Sequence, residues 1–229
     1  VIQALKAGKN VFVEKPLAVH ENEIKQIEAL LQKKNSPFLF VGYNRRFSPY
    51  VSKLKSVVDK RINPLFMVYN INAGHLPMNH WTHKSGGRIV GEACHFIDVC
   101  SYLTGQSVTE FSVQKLQPRT EHYSSSDNKS IVLSYADGSI AIINYFSTGA
   151  KESSKERLEV HFDGKSIFLD DYFSMKGINV DCSLSTSAIE KGHKEEIQEV
   201  IQALRKGEML ISAKELFETS LISLQASKE

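Results

Sequence analysis

The sequence predicts an α+β protein: the C-terminal half of a doubly wound α/β unit, followed by an open-faced, mostly antiparallel β-sheet domain with helices on one face. Three observations predict it. The apolar run Val11-Phe12-Val13 lies between helical patterns and is followed by a second strand pattern ending near Tyr43, the rhythm of a parallel strand–helix–strand crossover. Asp137-Gly138 and Asp163-Gly164 each divide two β-rich runs, which marks hairpins. Two amphipathic helical patterns close the chain.

Element by element, Val1 to Ala7 reads as the last two turns of a helix, with Gly8 just past its end. A strand is predicted over Asn10 to Val13, a helix over Glu21 to Lys34, and a strand over Pro37 to Tyr43. In that helix Ile24, Ile27 and Leu31 form a stripe expected to pack on a sheet, and Glu21 and Glu23 occupy the first turn, where the helix dipole favours anions. From Arg45 onward strands dominate. Ile131 to Tyr135 and Ile140 to Phe146 flank the first Asp-Gly; Leu158, Val160 and Phe162 alternate before the second, and Ile167 and Leu169 after it. A helical pattern over Gly91 to Leu103 interrupts them, with Ala93, Phe96, Ile97, Cys100 and Leu103 on one face and Gly105 as its stop. In the tail, Ile197, Val200, Ile201 and Leu204 stripe one helix, and Leu216, Phe217, Leu221 and Leu224 the other. Ser-rich Tyr123 to Ser130 and Ser147 to Lys155 read as loops.

Composition narrows the function. The 229 residues are 41% hydrophobic, enough for a sizeable core, and 28 Lys plus Arg against 26 Asp plus Glu give a net charge of +2. That balance argues against a broad footprint for nucleic acid or anionic membrane. No stretch approaches the roughly 20 apolar residues a bilayer span needs. The three cysteines, Cys94, Cys100 and Cys182, are an odd number without a CxxC pair, so neither a disulfide framework nor structural zinc is expected, and a reducing cytoplasm is. The chain opens inside a helical pattern without an initiator Met, so it is expected to be a piece of a longer protein.

Chemistry concentrates in two blocks. Lys15, in Glu14-Lys15-Pro16, follows a strand at the end where open α/β sheets bind ligands, and Pro16 holds the preceding backbone extended. His95, in Gly91-Glu92-Ala93-Cys94-His95-Phe96-Ile97-Asp98, titrates near neutrality and can serve as an acid/base group. A lysine and a histidine meeting in one cleft suit alcohol–ketone redox chemistry. Asn44, Arg45 and Arg46 offer several donors after the second strand. His75, His80 and His83 around Trp81 match no recognised metal spacing, so no metal is expected; Trp81 is read as stacking on a sugar face or packing under its loop. Gly86 and Gly87 are read as a tight turn.

These blocks resemble the glucose-fructose oxidoreductase / inositol dehydrogenase / MocA (Gfo/Idh/MocA) family. The matching stretches are Ala7 to Leu17, Val41 to Pro49, Trp81 with Gly86 to Asp98, and Lys191 to Glu196, in family order. The resemblance implies an NAD(P)-dependent oxidoreductase acting on a sugar, cyclitol or sugar nucleotide. It implies a Rossmann-like remnant over residues 1–45 and a substrate-binding and oligomerisation domain over 46–229, paired as a homodimer or homotetramer through the sheet. Lys15 and His95 are then the catalytic residues. Glu14, Lys15 and Pro16 touch NAD or NADP, and Asn44, Arg46, Trp81, Glu92 and Asp98 meet substrate. Two departures stand out. The family's GxGxxG turn, which cradles the dinucleotide pyrophosphate, is absent from these residues. Many members carry an Asp four residues before the histidine, where this chain has Gly91; Glu92 or Asp98 is a candidate replacement. The alternative reading is a non-catalytic structural, oligomerising or sensor module derived from the family.

Overall fold

The structure is a computed structural model that describes residues 1–77, 79–84 and 87–229. The chain runs α1 (Ile2–Lys6), β1 (Val11–Val13), α2 (Glu21–Leu31), β2 (Leu39–Val41), a 3₁₀ turn (Asn44–Phe47), α3 (Pro49–Val58), β3 (Phe66–Asn72), α4 (Trp81–Lys84) and a π-helical turn (Ile89–Ala93) leading into α5 (Cys94–Thr104). Then come β4 (Val108–Lys115), a 3₁₀ turn (Ser125–Asp127), β5 (Lys129–Tyr135), β6 (Ile140–Phe146), β7 (Glu156–Phe162), β8 (Lys165–Asp170), β9 (Ser174–Ile178), β10 (Leu184–Ser185), α6 (His193–Lys206) and α7 (Ala213–Lys228).

Strands β1 and β2 pair in parallel, Val11 opposite Leu39 and Val13 opposite Val41, so the crossover through α2 is present. Helix α2 starts and is charged as its sequence predicts, but it stops at Leu31, and Asn35 takes a left-handed φ of 60° beyond it. Its stripe packs largely on helices: Ile24 and Ile27 join one apolar cluster with Leu5 of α1, Leu39 and Val41 of β2, and Leu216, Phe217 and Leu224 of α7.

The second sheet has eight strands in the order β10-β9-β8-β7-β3-β6-β5-β4. The hairpins β5–β6 and β7–β8 form at the two Asp-Gly turns, where Gly138 and Gly164 have φ of 86° and 70°. All its pairings are antiparallel except β3–β6, where Phe66 lies opposite Ile140. Residues such as Met67, Tyr69, Ile143, Leu158 and Val160 face helices α3, α5 and α7 and make the main core. The other face carries Phe66, Ile140 and Phe168, each exposed.

Three expectations are corrected. Helix α5 is not one-sided: Cys94 to Ser101 are all buried, because the helix lies between the sheet and α7. Its stop at Gly105 holds, with φ of 66°. In α6 the buried residues are Glu196, Val200 and Ala203, while Ile197, Ile201 and Leu204 are exposed. The helix is anchored through Gly192, where a Cβ would collide with the main chain of Asn44 and Ser48, and this anchorage turns it away from its most apolar face. Lys129, expected in a loop, begins β5, and its ammonium donates to the carbonyls of Ala226 and Ser227 at the end of α7. Of the Gly86-Gly87 turn, Gly86 lies outside the described residues, and Gly87 has a φ of 82°.

Candidate active site

Lys15 leaves the carboxyl end of β1, two residues past Val13, and its peptide bond to Pro16 is cis. From there its Nζ donates a 2.8 Å hydrogen bond to the carbonyl of Gly91. Gly91 sits in the π-helical turn that feeds α5, a geometry often found at functional sites. The first turn of α5 carries His95, four residues further along. So a strand end and a helix start, far apart in sequence, converge on one carbonyl.

The His95 ring is 5% exposed, with Tyr43 edge-on at 6.4 Å, and its Nδ1 is buried without a partner among the described residues. Burial, and after it the charges of Arg45, Lys15, Lys191 and His193, push its pKa well below the usual 6.5. The imidazole is therefore neutral at pH 7, able to accept a proton and in need of a partner.

Lys15 and His95 line one cavity of about 480 Å³, together with Pro16, Val19, Arg45, Trp81, Thr82, Gly87, Gly91, Glu92 and Lys155. Glu92 sits in this wall and lies 3.4 Å from Arg88 Nε. Arg88 is itself fixed by the carbonyls of Ala73 and Gly74, at 2.8 and 2.7 Å. Trp81, 67% exposed, belongs to the same lining. Glu14 is exposed, and its carboxylate lies against Gly42, where a Cβ would come within 2.9 Å of Oε2.

Three residues assigned to substrate by sequence lie outside this cavity lining. Arg46 and Asp98 form a buried bidentate pair, Nε to Oδ2 at 2.9 Å and Nη2 to Oδ1 at 2.5 Å, with the guanidinium over the Tyr102 ring. Asn44 donates through Nδ2 to the carbonyl of Lys191 at 2.8 Å, tying the 3₁₀ turn to the start of α6. Asn44 Nδ2 and the Arg46–Asp98 pair are engaged within the fold, and none of the three residues lines the cavity, so the substrate contacts expected of them are not seen there. Of the candidate replacements for the family Asp at Gly91, Glu92 reaches the cavity lining and Asp98 does not.

Arg45, next door, does reach the cavity, held there by residues that sequence reasoning does not single out. Glu156, 1% exposed, takes Arg45 Nε and Nη2 at 2.8 Å each, Lys191 Nζ at 2.6 Å, and the Tyr69 hydroxyl at 3.3 Å. Burial alone would raise its carboxyl pKa, but Arg45 and Lys191 outweigh it and hold the group at about 2. One signal was available: Glu156 is in phase with Leu158, Val160 and Phe162, a charge at a position whose alternation calls for a core residue.

Comparison with known proteins bears on this geometry. Residues 1–43 match the model of the GFO/IDH/MocA oxidoreductase family's NAD-binding Rossmann fold, and residues 57–168 match that of a GFO/IDH/MocA C-terminal domain. The chain is 29% identical over 176 residues to a myo-inositol 2-dehydrogenase of Thermotoga maritima, covering 74% of this chain and 52% of that protein. It is 29% identical over 161 residues to an inositol 2-dehydrogenase of Rhizobium meliloti, covering 68% and 48%. The chain thus spans about half the length of these curated relatives. The solved structure of UDP-N-acetylglucosamine 3-dehydrogenase from Acidithiobacillus ferrooxidans shares the fold, with a TM-score of 0.76 over 99% of this chain and 72% of that one at 15% identity.

Proposed function

We propose, from the premise that the chain belongs to the GFO/IDH/MocA oxidoreductase family, that it supplies the acid/base site of an NAD(P)-dependent dehydrogenase acting on a sugar, cyclitol or sugar nucleotide. One observation carries the reading: the ammonium of Lys15 and the neutral imidazole of His95, whose buried Nδ1 has no partner among the described residues, share a single cavity beside the carboxyl ends of two parallel strands.

The residues present fit the nicotinamide end of a dinucleotide. The carboxyl end of a parallel pair is where open α/β sheets take their ligands, and the Glu14-Lys15-Pro16 segment leaves β1 there. In our reading Glu14, Lys15 and Pro16 border the cofactor. When bound, the nicotinamide supplies the hydride acceptor, and the rest falls to this chain's side chains.

His95 takes the proton of the substrate hydroxyl as the carbon–oxygen bond acquires carbonyl character, and returns it in the reverse direction. Lys15 spends one of its three N–H donors on Gly91 and keeps two for the substrate oxygen, whose developing negative charge it stabilises in place. Trp81 offers a face to the sugar ring and Glu92 an acceptor to a neighbouring hydroxyl. Asn44, Arg46 and Asp98 hold the wall from behind.

We read residues 1–45 as the cofactor-side unit and 46–229 as the substrate and assembly unit. The open face of the eight-stranded sheet, with Phe66, Ile140 and Phe168, is the proposed surface of a homodimer or homotetramer. Three buried free thiols fit a cytoplasmic enzyme, and among the described residues no helix is long and apolar enough to cross a membrane.

The test is a panel of polyols and sugars offered with NAD and with NADP to a form of the protein that also carries the GxGxxG turn these residues lack, read as reduced nicotinamide. Turnover that is lost in both Lys15→Ala and His95→Ala, with NADH affinity retained in calorimetry, is the expected result. Turnover that survives both substitutions sinks the assignment.

A further inference from the structure

The cavity is unbalanced in charge. Its wall carries three cations, Lys15, Arg45 and Lys155, against one carboxylate, Glu92. Behind the wall the imbalance persists, because one carboxylate, Glu156, serves two cations, Arg45 and Lys191. A low-dielectric cleft lined by one sign of charge concentrates ligands of the opposite sign.

Two of the lining cations also keep unused donors. Glu156 occupies Nε and Nη2 of Arg45, which leaves Nη1 without a protein partner among the described residues and keeps the guanidinium plane fixed. Lys155 is exposed; its main chain is held, N–H to Asp171 and carbonyl to Asn72, while its ammonium has no partner among the described residues. A rigid guanidinium and a free ammonium at one cavity make a receptor for an oxyanion.

We propose that the substrate is an acidic polyol, a sugar or cyclitol bearing a carboxylate or phosphate, whose anionic group is met by Arg45 and Lys155 while the reacting hydroxyl meets Lys15 and His95. The proposal deepens the dehydrogenase reading above and rests on it. A neutral hexose fills the same space but leaves the cationic wall unpaired. The phosphates of a dinucleotide are the other source of the same oxyanion chemistry, and the experiment separates the two.

Calorimetric titration of the 229-residue chain with glucuronate, glucose 6-phosphate, glucose and NADH, at low and high salt, decides it. One or both acids are expected to bind about tenfold or more tightly than glucose, with an advantage that shrinks as salt rises. Lys155→Ala, a change at an exposed side chain, is expected to weaken the preferred acid about fivefold more than it weakens glucose, and Lys155→Glu to erase the preference. Equal affinity for acids and glucose overturns the proposal while leaving the polyol site standing. If Lys155→Glu weakens NADH but neither acid, the cations serve the dinucleotide and the proposal fails. If no sugar binds at all, the polyol-site reading falls with it.

Discussion

Lys15 and Gly91, 76 residues apart, are joined by a 2.8 Å hydrogen bond from ammonium to carbonyl, and that bond ties the lysine to the π-helical turn just ahead of His95. Lys15→Met keeps the length of the side chain and removes the charge. Turnover is expected to fall about 10²–10³-fold, the usual loss of an oxyanion donor, with little change in thermal stability. A comparable drop in melting temperature would mean the bond is structural.

The low pKa of His95 sets a pH profile. A base acts only when unprotonated, and protonation begins only as pH falls through the lowered value, so oxidation should stay level from pH 8 down past the ordinary 6.5. A rate that already halves near 6.5, with chemistry rate-limiting, would contradict the buried, cation-flanked histidine.

The Arg46–Asp98 pair predicts a split between stability and catalysis. Asp98→Ala leaves the buried Arg46 guanidinium with only Glu215, 3.6 Å from its Nη1, and should cost up to about 3–5 kcal/mol in denaturant unfolding. Arg46→Met combined with Asp98→Leu should recover much of that loss. Trp81→Ala, at the exposed mouth, should move stability by under about 0.5 kcal/mol and act on KM. A small cost for Asp98→Ala would return that residue to the list of substrate contacts.

Glu196 offers a second pH test. Burial first, and then the nearby Glu14 and Asp98, raise its carboxyl to about 8 from the ordinary 4.5. Between those values the native chain keeps a proton the unfolded chain has released, so stability falls as pH rises from 4.5 to 8. Glu196→Gln removes this penalty and should raise Tm at pH 8 by a few degrees, about 2–4 °C per kcal/mol, with no gain at pH 4. An equal gain at both pH values would point to packing instead.

What could be read from the chain followed the range of the forces involved. The hairpins at Asp137-Gly138 and Asp163-Gly164 are legible because turn chemistry is local; Lys15 and His95 stand out because short motifs surround them, and the fold brings both to one cavity. Helix α6 departs from its own apolar spacing because its buried face is set by contacts at Asn44 and Ser48, some 145 residues away. The Arg46–Asp98 pairing leaves no trace in either neighbourhood, and although the alternation of β7 marks Glu156 as a charge at a core position, nothing local to it names Arg45 as its partner.

Strand β3 is a seam. On one side of it lies the meander β4–β5–β6 and on the other β7–β8–β9–β10, each built from neighbours in sequence, whereas β3 must reach across 74 residues to join Asn70 to Asn144. The two meanders can therefore form early, and the sheet closes only when the long loops are spent. Tyr69 of β3 and Glu156 of β7 meet across that seam, and Arg45 hangs from Glu156. On refolding, amide protection in the two meanders should precede protection in β3, and ligand binding should return with β3, last of all.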